Sequence, residues 1–202
     1  MLEGVEADDV ISYVVGHSQY QGWQKVIVSS DKDFIQLLNE ETILLRPTQK
    51  QIMTSKTVLE DYGISTENFV LARAIAGDNS DNLKGVPRAG LTTVSKRLPF
   101  LSENKRYDLG SVYDYCSTQE SKIKFFANVQ EYFDLVRRNY KVMNLTPPSI
   151  SPQGKGKISY ALQNFDFSLN ATRLKTISIE NGFAHFDWSE LIAMMRKISK
   201  DY

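Results

Sequence analysis

Seven carboxylates fall into three tight groups along the first half of the chain: Glu6, Asp8 and Asp9; Asp31 and Asp33; Asp78 and Asp81. Converging carboxylates repel strongly at the low effective dielectric of a cleft, and a bound divalent cation resolves that repulsion. Oxygen-only ligands without a Cys/His cluster favour Mg²⁺ or Mn²⁺ over Zn²⁺. Each group also has a plainer reading. Glu6, Asp8 and Asp9 suit the positive end of a helix dipole. Asp31 and Asp33 suit a turn and a helix cap, and Asp78 and Asp81 an Asx-rich loop. A fourth element, Gly85-Val86-Pro87-Arg88-Ala89-Gly90, is basic and bounded by glycines, and it opens a helix. Such a loop can aim backbone N–H groups at a phosphate, and Lys96 and Arg97 follow one to two turns later. Gly85, Val86, Pro87, Arg88, Gly90, Lys96 and Arg97 are therefore candidate DNA-backbone contacts. Gly154-Lys155 is not a phosphate-binding P-loop, because no Gly precedes it by five residues and no Ser or Thr follows Lys155 directly.

The elements that must position these residues read as α/β first and mostly helical afterwards. Val10, Ile11, Val14 and Val15 give helical spacing from Ala7 to Gln19, with Gly22 as the stop. Lys25 to Ser30 is a short β-branched run expected as a buried parallel strand, with Asp31 and Asp33 at its carboxyl end. In an open α/β sheet that is where sites lie. Phe34 to Leu38 reads as a short helix and Thr42 to Arg46 as a second strand. Thr54 or Ser55 caps a helix that runs through Tyr62 to Gly63; Ser65 or Thr66 caps the next, Glu67 to Ala76, which ends at Gly77. Residues 78–90 read as loop, Leu91 to Leu98 as an amphipathic helix stopped by Pro99, and 109–145 as helical. Residues 146–157 read as a linker by their Pro/Gly content, with two or three helices beyond it.

The 202 residues carry no net charge, yet the halves differ. Residues 1–81 hold 13 acidic and 6 basic side chains; residues 82–202 hold 11 and 18. From Lys84 to Arg106 six basic residues (Lys84, Arg88, Lys96, Arg97, Lys105, Arg106) face one acid, Glu103. Clustered carboxylates attract metal and clustered Lys/Arg attract phosphate, although opposite charges can also simply pair within one fold. The single cysteine, Cys116, excludes an internal disulfide and a cysteine zinc site. No apolar run approaches the ~18 residues of a membrane span, and the acidic start lacks the apolar centre of a signal peptide. A cytoplasmic, reducing setting is expected, with no membrane partner.

The succession Glu6-Ala7-Asp8-Asp9, Ser30-Asp31-Lys32-Asp33-Phe34, Ala76-Gly77-Asp78-Asn79-Ser80-Asp81-Asn82 and Gly85-Val86-Pro87-x-x-Gly90 resembles the 5′-nuclease family over roughly residues 3–100. That family comprises bacterial and phage 5′→3′ exonucleases, flap endonucleases and phage ribonuclease H. The resemblance implies a partial Rossmann-like (PIN-like) parallel sheet, then a helix–hairpin–helix variant and a mostly helical C-terminal region. It divides the chain into 1–82, part of the catalytic α/β core; 83–146, the helix–hairpin–helix and helical region; and 147–202, a helical region past the Pro/Gly linker. It implies hydrolysis of phosphodiester bonds with two Mg²⁺ or Mn²⁺ ions, and K⁺ at the hairpin. Glu6, Asp8, Asp9 and Asp31 would hold the metal nearer the scissile phosphate, and Asp33, Asp78 and Asp81 would support the second, partly through water. Glu6, Asp8, Asp9, Asp31 and Asp33 thus carry the catalytic role.

The implied partners are branched or nicked duplex DNA and RNA–DNA primer hybrids. Arg88 and Ala89 stand where the family usually has Gly-Ile, and Arg88 gains the option of reaching a phosphate directly. The family's first strand, with its metal-binding Asp, and its basic helical arch have no counterpart before Met1. An N-terminal fragment of the same nuclease is therefore an expected partner. Two further readings stay open: a DNA-binding module without catalysis, and a metal-binding PIN-type domain, against which the Gly85–Gly90 hairpin argues.

Overall fold

The β-branched run Lys25–Val28 forms strand β1, and Thr42–Arg46 forms β2 parallel to it, with Val26 opposite Ile43 and Val28 opposite Leu45. In the computed structural model, which describes residues 3–119, 123–165, 170–183 and 187–198, a third strand joins them. This is β3, Gln51–Met53, antiparallel to β2, so the order is β1-β2-β3. Its three residues carry too short a pattern to announce a strand. The reversal before it places Lys50 in the left-handed region, at φ 51°.

The sheet's two faces differ. Ile27, Thr42, Leu44 and Met53 are buried on one. Side chains alternate along a strand, so Val26, Val28 and Ile52 share the other, and they are 52%, 63% and 57% exposed. No strand lies beyond β1 among the described residues, which leaves β1 as an open edge.

Helix α1 spans Ala7–Val15 and stops at Gly16, one turn before the expected end; a 3₁₀ turn, Ser18–Tyr20, takes up the rest. The segment after β1 is a 3₁₀ turn, Asp33–Leu37. Helix α2, Ser55–Tyr62, starts as expected: Thr54 and Thr57 exchange side-chain and backbone hydrogen bonds, and Gly63 closes it in the left-handed conformation. Helix α3, Phe69–Ala76, follows a 3₁₀ turn over Thr66–Asn68 and is buried from Phe69 to Ile75. A helix apolar on every side belongs at the centre of a core. It packs against α4, Leu91–Arg97, and α7, Phe133–Met143. Helices α5, Leu109–Ser117, and α6, Lys124–Glu131, pack on each other.

Buried Asn139 of α7 donates from Nδ2 to Ala74 O at 3.0 Å and Lys84 O at 2.8 Å, which ties α7 to both sides of the loop after α3. Residues up to Lys155 form one compact unit and those from Gly156 a second. The expected linker is corrected in part: Pro152–Gln163 is helix α8. Ser151 Oγ accepts the Gly154 N–H, and proline is tolerated in a first helical turn. Helices α9, Ala171–Glu180, and α10, Trp188–Ile198, belong to the second unit. No helix among the described residues is long and apolar enough to cross a membrane.

Candidate metal and nucleic-acid site

The acids past β1 are aimed by a local turn. Asp31 N–H donates to Ser29 Oγ at 3.1 Å, and Asp33 N–H donates to Asp31 Oδ1 at 2.8 Å. Asp31 and Asp33 then line a cavity of about 290 Å³ together with Glu6, Asp8 and Asp81. All three acidic groups thus contribute to one place. Its far wall is Val142, Met143 and Leu145, at the end of α7. That wall is fixed by Gln36, whose Nε2 donates to Asp33 O at 2.9 Å and Met143 O at 2.8 Å while Oε1 accepts Leu145 N–H at 3.0 Å. Ser12 of α1 donates to Leu145 O at 2.6 Å.

Two of the seven carboxylates do not line the cavity. Asp9 Oδ1 accepts the Ser149 N–H at 2.6 Å. Asp78 is engaged on both oxygens: Oδ1 accepts the Ser80 N–H at 2.8 Å and the Ser80 hydroxyl at 2.5 Å, and Oδ2 accepts from Arg73. Arg73 also pairs with Asp33 Oδ1 at 2.7 Å. Sequence reasoning missed this arginine. Its signal was there, since an Arg inside Phe69-Val-Leu-Ala-Arg-Ala-Ile-Ala76 is a charge forced into a core and therefore paired.

The donor set is hard oxygen only, as a divalent ion of the Mg²⁺ class requires. Among the described residues, however, no three His, Cys, Asp or Glu side chains are arranged to hold a metal ion. The expectation that all seven carboxylates converge is thus corrected to five around a cavity wider than one ion.

The charge in this cavity is only partly compensated: Arg73 pairs with Asp33, and the other four lining acids have no ion-pair partner among the described residues. Burial raises Asp8 above the ordinary carboxylate range, and Asp31, Glu6, Asp9 and Asp81 raise it further. Burial pushes Asp33 up to about 6; the Arg73 cation opposes this, while Asp31 and Asp81 add to it. Asp78 also feels burial, but the Ser80 hydrogen bonds and Arg73 outweigh it and hold its carboxyl low.

A pH dependence follows for the metal-free chain. The folded state holds the Asp33 proton more tightly than the unfolded state, whose carboxyl titrates near 3.8. Stability from this group is therefore present below 3.8 and is lost as pH rises to about 6, a change of at most about 3 kcal/mol. In chelator, the melting temperature of the parent chain should fall relative to Asp33→Asn across that interval. A constant difference between the two would show that Asp33 carries no burial strain.

The loop bearing the third acidic group is closed by backbone contact. Gly77, at φ 77°, lies against Gly85 so closely that an added Cβ would meet Gly85 N at 2.3 Å. Asp78 and Leu83 exchange backbone hydrogen bonds at 2.8 and 2.7 Å. Past Gly85 the basic hairpin plugs into the core through Val86 and Ala89, 4% and 2% exposed, while Pro87, Arg88 and Gly90 face solvent. Ala89 is thus part of the core, and Arg88 adopts the left-handed φ of 63° that a glycine takes easily. Lys84, Arg88, Lys96, Arg97, Lys105 and Arg106 are all exposed, and none is in an ion pair among the described residues.

Comparison with known proteins agrees with this arrangement. Residues 1–63 match the family model described as 5′-3′ exonuclease, N-terminal resolvase-like domain. The 5′-3′ exonuclease of Buchnera aphidicola subsp. Schizaphis graminum is 40% identical over 90 residues, 45% of this chain and 31% of that protein. The thermostable DNA polymerase I of Thermus filiformis is 39% identical over 95 residues, 47% of this chain and 11% of that one. The bacteriophage T5 5′-exonuclease, solved with zinc as bound divalent metal, superposes with a TM-score of 0.64 at 20% identity over 80% of this chain and 60% of that one, which establishes the shared fold. The bacteriophage T5 flap endonuclease, in a complex with DNA and metal ions, gives 0.63 at 20% identity over 80% and 60%. Fold and site together define a resolvase-like α/β domain joined to a basic hairpin. The matched part of the chain resembles the 5′-3′ exonucleases, and these likenesses support a member of the 5′-nuclease family. It spans about a third of the length of the 5′-3′ exonuclease it matches.

Proposed function

We propose that this chain forms the metal-binding and DNA-gripping part of a structure-specific 5′ nuclease that hydrolyses phosphodiester bonds at 5′ flaps, nicks or RNA primers. The observation that carries the reading is the cavity shared by Glu6, Asp8, Asp31, Asp33 and Asp81, five like charges of which Asp33 alone has an ion-pair partner among the described residues. These five acids would hold the divalent metal, Mg²⁺ or Mn²⁺, in two sites. When bound, the metal supplies Lewis-acid charge stabilisation and an activated water for in-line displacement. The chain's residues do the positioning. The Asp31–Asp33 turn presents two carboxylates, Gln36 and Ser12 hold the opposite wall, and the exposed cations of the hairpin grip a duplex backbone. On this reading K⁺ would sit at that hairpin, and residues 83–146 and 147–202 would be separate regions beyond the core.

The test is direct. Titration calorimetry with Mn²⁺ should show uptake by the parent chain and lose most of it in Asp31→Asn/Asp33→Asn. Unchanged uptake would sink the assignment, and no uptake beside intact DNA binding would leave only a DNA-binding module.

The strained Arg88 gives a second, independent check. A non-glycine residue in the left-handed region costs about 1 kcal/mol, so Arg88→Gly should stabilise the fold by about that amount. The same change should weaken duplex binding and lower the salt slope by up to about one unit, since one phosphate contact is lost. Unchanged DNA affinity in the stabilised variant would take Arg88 out of the DNA face.

A further inference from the structure

One acid of the cavity, Asp33, already holds a fixed cation, Arg73. Arg73 is 6% exposed, and a single nitrogen, Nη2, donates both to Asp33 Oδ1 and to Asp78 Oδ2. The two acids come from different groups, one past β1 and one past α3, so the guanidinium bridges separate parts of the chain. Arg73 Nε is buried and has no hydrogen-bond partner among the described residues, so the guanidinium is held by these carboxylates and not by a surrounding network. Two carboxylates drawn onto one positive centre are placed as they would be by a shared metal ion.

We propose that Arg73 is a positioning residue that takes the place of a divalent cation in the metal-free site, tethering Asp33 to Asp78, and competes with metal for Asp33. The proposal rests on the reading of the cavity as a metal site. Its physical basis is charge. A buried guanidinium offsets one of the two negative charges of the Asp33–Asp78 pair at contact distance, where the effective dielectric is well below that of water. Incoming metal meets less negative potential than the acids alone would offer, and it must loosen the Arg73 bridge to use Asp33 fully. Arg73 therefore keeps the acidic loops together without metal and weakens metal binding in return.

The experiment compares the parent chain with Arg73→Met and Arg73→Lys in Mn²⁺ titrations followed by calorimetry and by the electron spin resonance of free Mn²⁺. Arg73→Met removes the charge and should tighten Mn²⁺ binding about tenfold. Arg73→Lys retains the charge and should stay within about threefold of the parent. A merely structural arginine would weaken binding in both variants by loosening the loops, and that outcome, or an Arg73→Met affinity equal to the parent's, overturns the proposal. Losing one partner of a buried pair is strongly destabilising. A measurement on the unaltered chain therefore stands beside the variants. The buried Arg73 Nε–H resonance should move during a Mg²⁺ titration at constant pH, in step with filling of the cavity. A signal that stays fixed while Mg²⁺ binds also overturns the proposal. Mn²⁺ uptake equal in all three proteins defeats the Arg73 role alone, whereas no uptake by any of them defeats the metal reading together with it.

Discussion

Gly85→Ala is expected to cost at least about 3 kcal/mol of stability, among the largest effects of any single methyl group in this chain. A Cβ at Gly85 would stand 2.0 Å from Ala76 O and 2.7 Å from Gly77 N. Both are backbone atoms, and no rotamer change relieves the clash. The neighbouring backbone cannot retreat cheaply either. Val86 N–H donates to Ile75 O at 2.8 Å, and the Asp78–Leu83 pair closes the loop from the other side. Separation of these segments would withdraw Asp81 from the cavity and leave buried carbonyls without donors. Gly90→Ala provides the contrast, because nothing lies within 4 Å of its added Cβ and its φ of −60° suits any residue. That variant should stay within about 0.5 kcal/mol of the parent. Thermal and urea unfolding followed by circular dichroism compare the two, and equal stabilities would refute the close-packed role of Gly85.

The second large effect concerns activity. On the proposed reading, the chain should release a labelled 5′ flap at least about a hundredfold more slowly by itself than when co-expressed with a polypeptide that covers the open β1 edge with a further strand. Small misplacement of reacting groups is enough for a loss of that size. Two features argue for it. Among the described residues the carboxylates surround a cavity without closing on an ion, so their final approach needs further support. The open edge of β1 and the exposed Val26, Val28 and Ile52 face form a surface that a further strand and its helix would cover. Asp81→Ala in the co-expressed assembly serves as the control that should abolish Mg²⁺-dependent release. Robust cleavage by the purified chain alone, abolished by the same control, would overturn the prediction.

Much of this architecture was legible locally. Thr54 and Gly63 bracket α2 as capping chemistry requires, and β1 and β2 follow their β-branched runs. The Asp31–Asp33 turn was legible because a strand end followed by Asp-x-Asp needs little beyond its own backbone. Errors arose where distant contacts or competing local signals decided. Composition made 146–157 a linker, yet Ser151 and Pro152 begin a helix that carries Gly154 and Gly156 within it. β3 exists because β2 offers it an edge, a fact invisible in Gln51-Ile52-Met53 itself. The destinations of Asp9 and Asp78 depended on Ser149 and Arg73, partners that no spacing rule supplies. Arg73 was legible only as an anomaly, a charge in a helix otherwise built for the core.

The anchoring of α1 bears on how the protein is made. Ser12 is held by Leu145, 133 residues later, and Asp9 by Ser149, 140 residues later. Gln36 likewise waits for Met143 and Leu145. During synthesis the α/β segment emerges well before these partners, and contacts so far apart along the chain form slowly. The helix that brings the first acids to the cavity is thus translated early and locked late. Until the end of α7 has left the ribosome, the nascent chain carries its acids without the wall that gathers them.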